Sequence, residues 1–531
     1  MTLAPPPQAT SPEGPPDPPV EANAEVTKQI RGSSLLMVGR VVSIITNLVV
    51  QVLLVRSLSK GDFGIFAYAL SIVTMIGTVS TFGLDRGLSR FLAIYEERGE
   101  KAKLWGVLVL QLATILGLGL AATALVIGFH GWIGRTLVDD ARLGTLLAVM
   151  VLLAPLQALD GVAAGIFSAF GQSKEIFLRR YVLAPVLRLV IVGLLVLGDR
   201  DVFFLGAGYV AAGAFGLALY GSLLLRTFQA RGLLTSPDGS PRKLDLPIAE
   251  VGAFTVPLLA SDAMFVVLNT SDVVILGRTA GATAVSSYRA ILPVARLNQL
   301  ALNSFSLLFA PLMARLWARG DRRALGDAYW QTAAWVAVLS FPLFAVVIGL
   351  AEPLVVTLFG ERYASSVPYL RILATAYYFN AALGFNGVTL KMIGRVWLSA
   401  SLALGALAFN LAINLLLIPR YGALGAAWGT GLTVAGFNVA KQVALHKGSS
   451  VTGFDRRYAS LYATILGAAA ALLAVDLVGA PIVLRAVVVA AASAAVLAVG
   501  RRLLLVGDLF PEVAKLPLVG RLLAPAGRST S

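Results

Sequence analysis

Apolar and polar positions alternate along this chain in long blocks. From about residue 33 to residue 505, apolar stretches of about 19–26 residues recur between short polar intervals. A helix of that length covers the roughly 30 Å of a bilayer's hydrocarbon. The blocks predict about fourteen membrane-spanning helices, at about residues 33–55, 63–83, 104–129, 142–164, 177–198, 202–225, 250–277, 286–310, 328–350, 366–390, 396–418, 422–446, 458–476 and 481–505. The fold class is therefore an all-α polytopic membrane protein, since only helices satisfy every backbone group within a single segment in lipid. Residues 1–31 break the pattern with eight prolines, four acidic residues and no periodicity, which predicts a disordered tail. That start lacks the basic residues and short apolar core of a signal peptide. Residues 507–523 alternate apolar and basic positions and are expected to lie along the inner interface.

Composition agrees with the pattern. Hydrophobic residues make up 57% of the 531 positions and charged residues 13%, against about 45–50% and 25% in soluble domains. Cysteine is absent, and His130 and His446 stand far apart, so thiol chemistry, thiolate metal sites and a His-x-x-x-His zinc motif are excluded. No metal site and no cofactor are expected.

The net charge of +15 would suggest nucleic acid in a soluble protein, but its distribution assigns it to topology instead. With the N-terminus inside and residues at span ends counted with the adjoining loop, 29 of the 43 Lys and Arg fall in tails and inner loops, 8 in outer loops and 6 within spans. Inner clusters include Arg86, Arg90, Arg98, Lys101 and Lys103, and also Arg315, Arg319, Arg322 and Arg323. This is the positive-inside bias of a membrane protein with both termini cytoplasmic. Anionic lipids are the expected secondary partners; nucleic acid is not needed. The outer loops are short, the longest being about residues 351–365, so no outer domain exists to house soluble-type catalysis.

The two halves repeat faintly. LVRSLSKGDFGIFAYA (54–69) can be laid over LGRTAGATAVSSYRA (276–290), pairing Arg56 with Arg278 and Phe66 with Tyr288 at an offset of about 222 residues. Six-helix repeats of the same orientation are a transporter pattern that places the substrate path between two lobes. The division is then a tail (1–31), an N-lobe (32–225), a cytoplasmic linker (226–247), a C-lobe (248–446), two further helices (447–505) and an interfacial cytoplasmic tail (506–531).

Five segments carry a resemblance. RGSSLLMVGRVVS (31–43), RSLSKGDFGIFAYALSI (56–72) and TFGLDRGLSRFLA (81–93) resemble the N-terminal helices of Wzx-type polysaccharide-biosynthesis flippases of lipid-linked oligosaccharides. These belong to the multidrug/oligosaccharidyl-lipid/polysaccharide exporter superfamily. LAEPLVVTLFGERYASSVPYLRILA (350–374) and NLLLIPRYGALGAAWGTGLT (414–433) extend the likeness into the second half. The resemblance implies two six-helix lobes around a central cavity, plus two C-terminal helices. It also implies a substrate, an undecaprenyl-pyrophosphate-linked oligosaccharide turned from the inner to the outer leaflet by alternating access. A bacterial cytoplasmic membrane is the implied location. Polymerase and other polysaccharide-assembly proteins are the implied protein partners, and a monomer is the expected state.

Charges at bilayer depth cost at least about 2.5–3.5 kcal/mol each and so mark partners or water-filled space. The deep ones are Arg40, Arg188, Asp262, Asp272, Arg289 and Arg296, while Arg371 and Arg485 lie near helix ends and are expected to snorkel to headgroups. Seven-residue spacing puts Arg40 with Asn47, Asp262 with Asn269, and Arg289 with Arg296 and Asn303 on single helix stripes. These stripes are expected to face the cavity.

Guanidinium matches phosphate oxygens bidentately and stays charged. Arg40, Asn47, Arg188, Arg289, Arg296 and Asn303 are therefore the substrate-binding candidates. Arg289 and Asp272 lie at similar depth, so mutual neutralisation is the alternative there. Asp262, Asn269 and Asp272 are candidates for coupling to a proton or sodium gradient or for gating; an Asp that only orients an arginine is the plainer alternative. Asp85, Arg86 and Arg90 form an inner-mouth cluster that meets the substrate or the other lobe, or is a solvated loop. Gly161–Gly165 and Gly425–Gly429 read as close helix contacts. No GxxxxGK[ST] occurs, and the chain is not expected to be an enzyme. A drug/cation antiporter of the same superfamily, a membrane polymerase or ligase of lipid-linked glycans, and a non-transporting scaffold are the competing readings.

Overall fold

The structure is a computed structural model that describes residues 39–40, 42–81, 84–137, 140–233, 244–449 and 451–503, with backbone alone at 84–86, 256–263, 265, 307–308 and 502. The expectations for residues 1–31 and 506–531 lie outside the described residues. The described residues are helices joined by turns, without a strand. In chain order the helices of the first half are α1 (Val42–Ser57), α2 (Lys60–Thr81), α3 (Leu84–Glu97), α4 (Lys101–Leu137), α5 (Ala141–Met150), α6 (Leu153–Ala169), α7 (Ser173–Phe177), α8 (Ala184–Leu197) and α9 (Val202–Ala230). The second half holds α10 (Ile248–Ala295), α11 (Gln299–Ala318), α12 (Arg322–Gly349), α13 (Ala351–Phe359), α14 (Val367–Ala382), α15 (Asn386–Met392), α16 (Val396–Gly448), α17 (Ala459–Leu477) and α18 (Ile482–Leu503). Among the described residues nine helices are long and apolar enough to cross a membrane, or ten when a bent pair counts as one span.

Local chemistry sets the breaks. Gly281 (φ 78°) and Gly422 (φ 55°) reverse α10 and α16 into pairs of arms in a conformation an L side chain resists. Asp140, Asp201 and Asp321 start α5, α9 and α12 by accepting hydrogen bonds from Arg142, Phe204 and Ala324 backbone N–H groups. Large apolar side chains stay exposed along α4 and α8, for example Leu120, Leu125, Val190 and Leu194. That is the surface lipid covers. The stretch of α12 is 72% buried, against 22% in α4, which makes α12 the centre of the second half.

The halves meet along one antiparallel seam. A methyl group at Gly64 would stand 1.9 Å from the Ala282 carbonyl oxygen, one at Gly277 2.2 Å from the Tyr68 ring, and one at Gly87 3.1 Å from Thr255. Tyr95 donates to Glu250 at 2.9 Å. Helices α2 and α3 thus pack against α10, with Gly64 at the start of its second arm and Tyr68, Gly87 and Tyr95 against its first. At the end assigned to the outside by charge, two arginines cap each other's helices. Arg56 donates to the Leu358 and Thr357 carbonyls at 3.0 and 2.5 Å. Arg362 donates to Arg56 and Leu58 carbonyls at 3.0 and 2.8 Å, and also to that of Val55. Both satisfy the orphan carbonyls of a helix C-terminus with a cation, the sign its dipole favours.

Arg371 and Arg485 do not snorkel. Both bind Asp476 on α17, Arg485 at 3.0 Å, and the Asp476 side chain is 4% exposed. A buried carboxylate between two helix-end arginines offers more than a headgroup, and it ties α17 and α18 to α14.

Candidate functional site: an arginine-lined cavity

A cavity of about 800 Å³ opens within the first half, between α1, α2, α6, α8 and α9. Asn47, Gln157, Asp160, Arg179, Arg180, Arg188 and Tyr209 supply most of its polar wall. Two of the three arginines sit on a turn that Pro185 favours. Pro185 cannot donate to residue 181, and its ring crowds that carbonyl. The helix before it widens into a π turn over Leu178–Leu183, a distortion common at functional sites. That turn carries Arg179 and Arg180 toward the cavity. Arg179 is 8% exposed, with Nη2 2.8 Å from Asp160 Oδ1 and its guanidinium 5.7 Å from the Tyr220 ring centre. Gly216 makes room for it: a methyl there would stand 2.4 Å from Nη2. One turn beyond Pro185, Arg188 donates to Asn47 Oδ1 at 3.1 Å and lies 5.9 Å from the Tyr209 ring centre. Among the described residues lining the cavity, Asp160 is the one carboxylate against three guanidiniums.

The other predicted residues are placed apart from this cavity. Arg40 is exposed at the start of the first helix, where Gly39 packs against Phe177 and Tyr181. Arg289 donates to Ser71 on α2 at 2.6 Å, across the seam. Asp272 does not pair with it. Its carboxylate accepts from the Tyr288 hydroxyl at 2.5 Å and the Val273 N–H at 2.8 Å. Equal depth was therefore an insufficient criterion, because the two side chains leave different faces of the arms. Arg296 donates to the Tyr377 hydroxyl at 3.0 Å and to Asn269 Oδ1 at 3.3 Å.

The chain tightens into a 3-10 turn at Arg296–Asn298, which advances about 20° more per residue than an α-helix. Asn303 then stands exposed on α11. Arg90 stacks on the Phe254 ring at 4.5 Å and so meets the other half of the molecule. The side chains of Asp85, Arg86 and Asp262 lie outside the described ones. Gly425 and Gly429 pack on Leu417 and Asn414 of the other α16 arm. Gly161 and Gly165 instead line the cavity, a correction to the close-contact reading.

The family model described as "Polysaccharide biosynthesis protein" matches residues 30–317, more than half of the chain and all of the cavity's elements. The chain belongs to the polysaccharide biosynthesis protein family. A second model, MatE, matches residues 257–416. An uncharacterised membrane protein of Methanocaldococcus jannaschii is 25% identical over 416 residues, covering 75% of this chain and 80% of that protein. The succinoglycan biosynthesis transport protein ExoT of Rhizobium meliloti is 23% identical over 329 residues, covering 61% and 60%. A solved structure of the lipid II flippase MurJ in an inward closed conformation superposes with a TM-score of 0.66 at 12% identity, over 89% of this chain and 99% of that one. This member of the family is therefore a multi-pass membrane protein with the fold of a flippase or transporter. Its cavity draws on Asn47 and Arg188, which sequence reasoning named, and on Asp160, Arg179 and Arg180, which it missed. The available signals were Asp160 inside an apolar stretch and Pro185 shortly after a pair of arginines.

Proposed function

We propose that this protein carries a diphosphate-linked lipid glycan, of the undecaprenyl-pyrophosphate-oligosaccharide class, from the inner to the outer leaflet of the bacterial cytoplasmic membrane. Both termini are cytoplasmic in this reading. The cavity's charge carries it: three guanidiniums against one carboxylate suit a headgroup of about two negative charges. The polar wall of Asn47, Gln157 and the tyrosines suits sugar hydroxyls, while the polyprenyl tail stays in lipid beside exposed apolar helices. In this reading the two halves, joined along the seam, rock in alternating access. Asp262 and Asp272 are the coupling or gating carboxylates of this reading, with H+ or Na+ as the driving ion.

The match to the MatE model supports a second transporter reading, a drug or cation antiporter. A cavity richer in arginine than in carboxylates disfavours a cationic cargo.

The test is outer-leaflet exposure of the lipid-linked glycan in cells lacking this protein and other flippases, complemented with wild type or Arg188→Ala. Wild type restores exposure. Arg188→Ala, inserted at wild-type level, is expected to lower it about tenfold or more, the scale of one lost charge-assisted contact. Full restoration by Arg188→Ala would remove Arg188 from the substrate path. Normal exposure without the protein would sink the flippase reading.

A further inference from the structure

We propose that Asp160 is an internal competitor for the anion taken up by the arginine-lined cavity, neutralising Arg179 when the cavity is empty and giving it up when a diphosphate enters. The inference rests on the anion-carrying reading above and adds how that site is regulated.

Three observations support it. First, Arg179 and Asp160 are 2.8 Å apart, yet they are unequally held. Arg179 is wedged against Gly216 and Tyr220 with a side chain 9% exposed, whereas the Asp160 side chain is 29% exposed and lines the cavity. The carboxylate is the partner free to move away.

Second, the pairing leaves Arg179 incompletely satisfied. Its buried Nε–H has no hydrogen-bond partner. A guanidinium offers a fork of donors, and a carboxylate at Nη2 uses only part of it. A diphosphate offers more acceptor oxygens and a higher charge.

Third, Arg180 and Arg188 line the same cavity, and no described carboxylate is within ion-pair distance of either. An incoming dianion therefore can form ion pairs with two further cations that Asp160 stands near but does not pair with. Exchange favours the ligand while it is present, and re-pairing of Asp160 assists its departure. Transport needs that balance, since a site that binds too tightly does not release.

Purified full-length protein in detergent, titrated with inorganic pyrophosphate by calorimetry, tests this. Asp160→Asn is expected to bind the probe about tenfold more tightly than wild type, the scale of one charge-assisted contact no longer opposed. Asp160→Glu, which keeps the charge, is expected to show none of that gain. Adding Arg179→Gln to Asp160→Asn should abolish the gain. A carboxylate that merely shaped the site would give weaker binding on removal. Wild-type binding that is unchanged or weakened in Asp160→Asn therefore overturns the competitor role and leaves the cationic-cavity reading standing. No binding by either protein, with both monodisperse and melting alike, overturns the cavity reading and the competitor role with it.

Discussion

At the scale of single residues, the site depends on how little room a guanidinium is given. Arg179 fits because position 216 lacks a side chain, and a methyl there would stand 2.4–2.7 Å from three guanidinium atoms. Gly216→Ala is expected to cost about 1–3 kcal/mol by overpacking and to weaken pyrophosphate binding together with the melting temperature. Unchanged melting and binding would show that Arg179 relocates freely. Sequence made the arginines visible as charges but not their partners. Arg289 and Asp272 share a depth, yet one binds Ser71 and the other Tyr288. Which way a side chain leaves its helix decides pairing, and that depends on the rotation of both helices.

At the scale of elements, the α2–α3 seam against α10 is built on close backbone approach. Gly64 is its tightest point, against the Ala282 carbonyl, and the reciprocal caps of Arg56 and Arg362 lie at the same end. Gly64→Val is expected to force the seam open there, read as a longer spin-label distance between α2 and the second arm of α10, with transport lost. An unchanged distance would mean that the backbone yields instead. The helical stretches were legible from the length of the apolar blocks alone. Their internal breaks were less so: the π turn before Pro185 and the 3-10 turn at Arg296–Asn298 are single-turn adjustments. They leave hydropathy unchanged while rotating everything that follows.

At the scale of the whole molecule, the last two helices pack on α12 and are tied to α14 by one buried carboxylate. Removing Asp476 would strand Arg371 and leave Arg485 with Glu352 alone, 3.5 Å away. Asp476→Ala is expected to destabilise the protein by about 3–5 kcal/mol, the usual cost of leaving a buried charge unpaired, measured as a lower detergent melting temperature. Proteolysis should then release a fragment holding α17 and α18; an intact, wild-type-stable protein would contradict the anchoring role. By itself the sequence determined that the chain lies in a membrane and where its helices run, because lipid demands long apolar stretches whatever their neighbours are. It also bore enough local motif to resemble the family that the chain matches. Only the tertiary structure decided which charges share a cavity and which are spent on structure. Asp160 of α6 meets Arg179 and Arg188 of one bent helical stretch through a π turn and a missing side chain. Contact between helices depends on their rotation and crossing, quantities that a one-dimensional pattern of apolar residues does not contain.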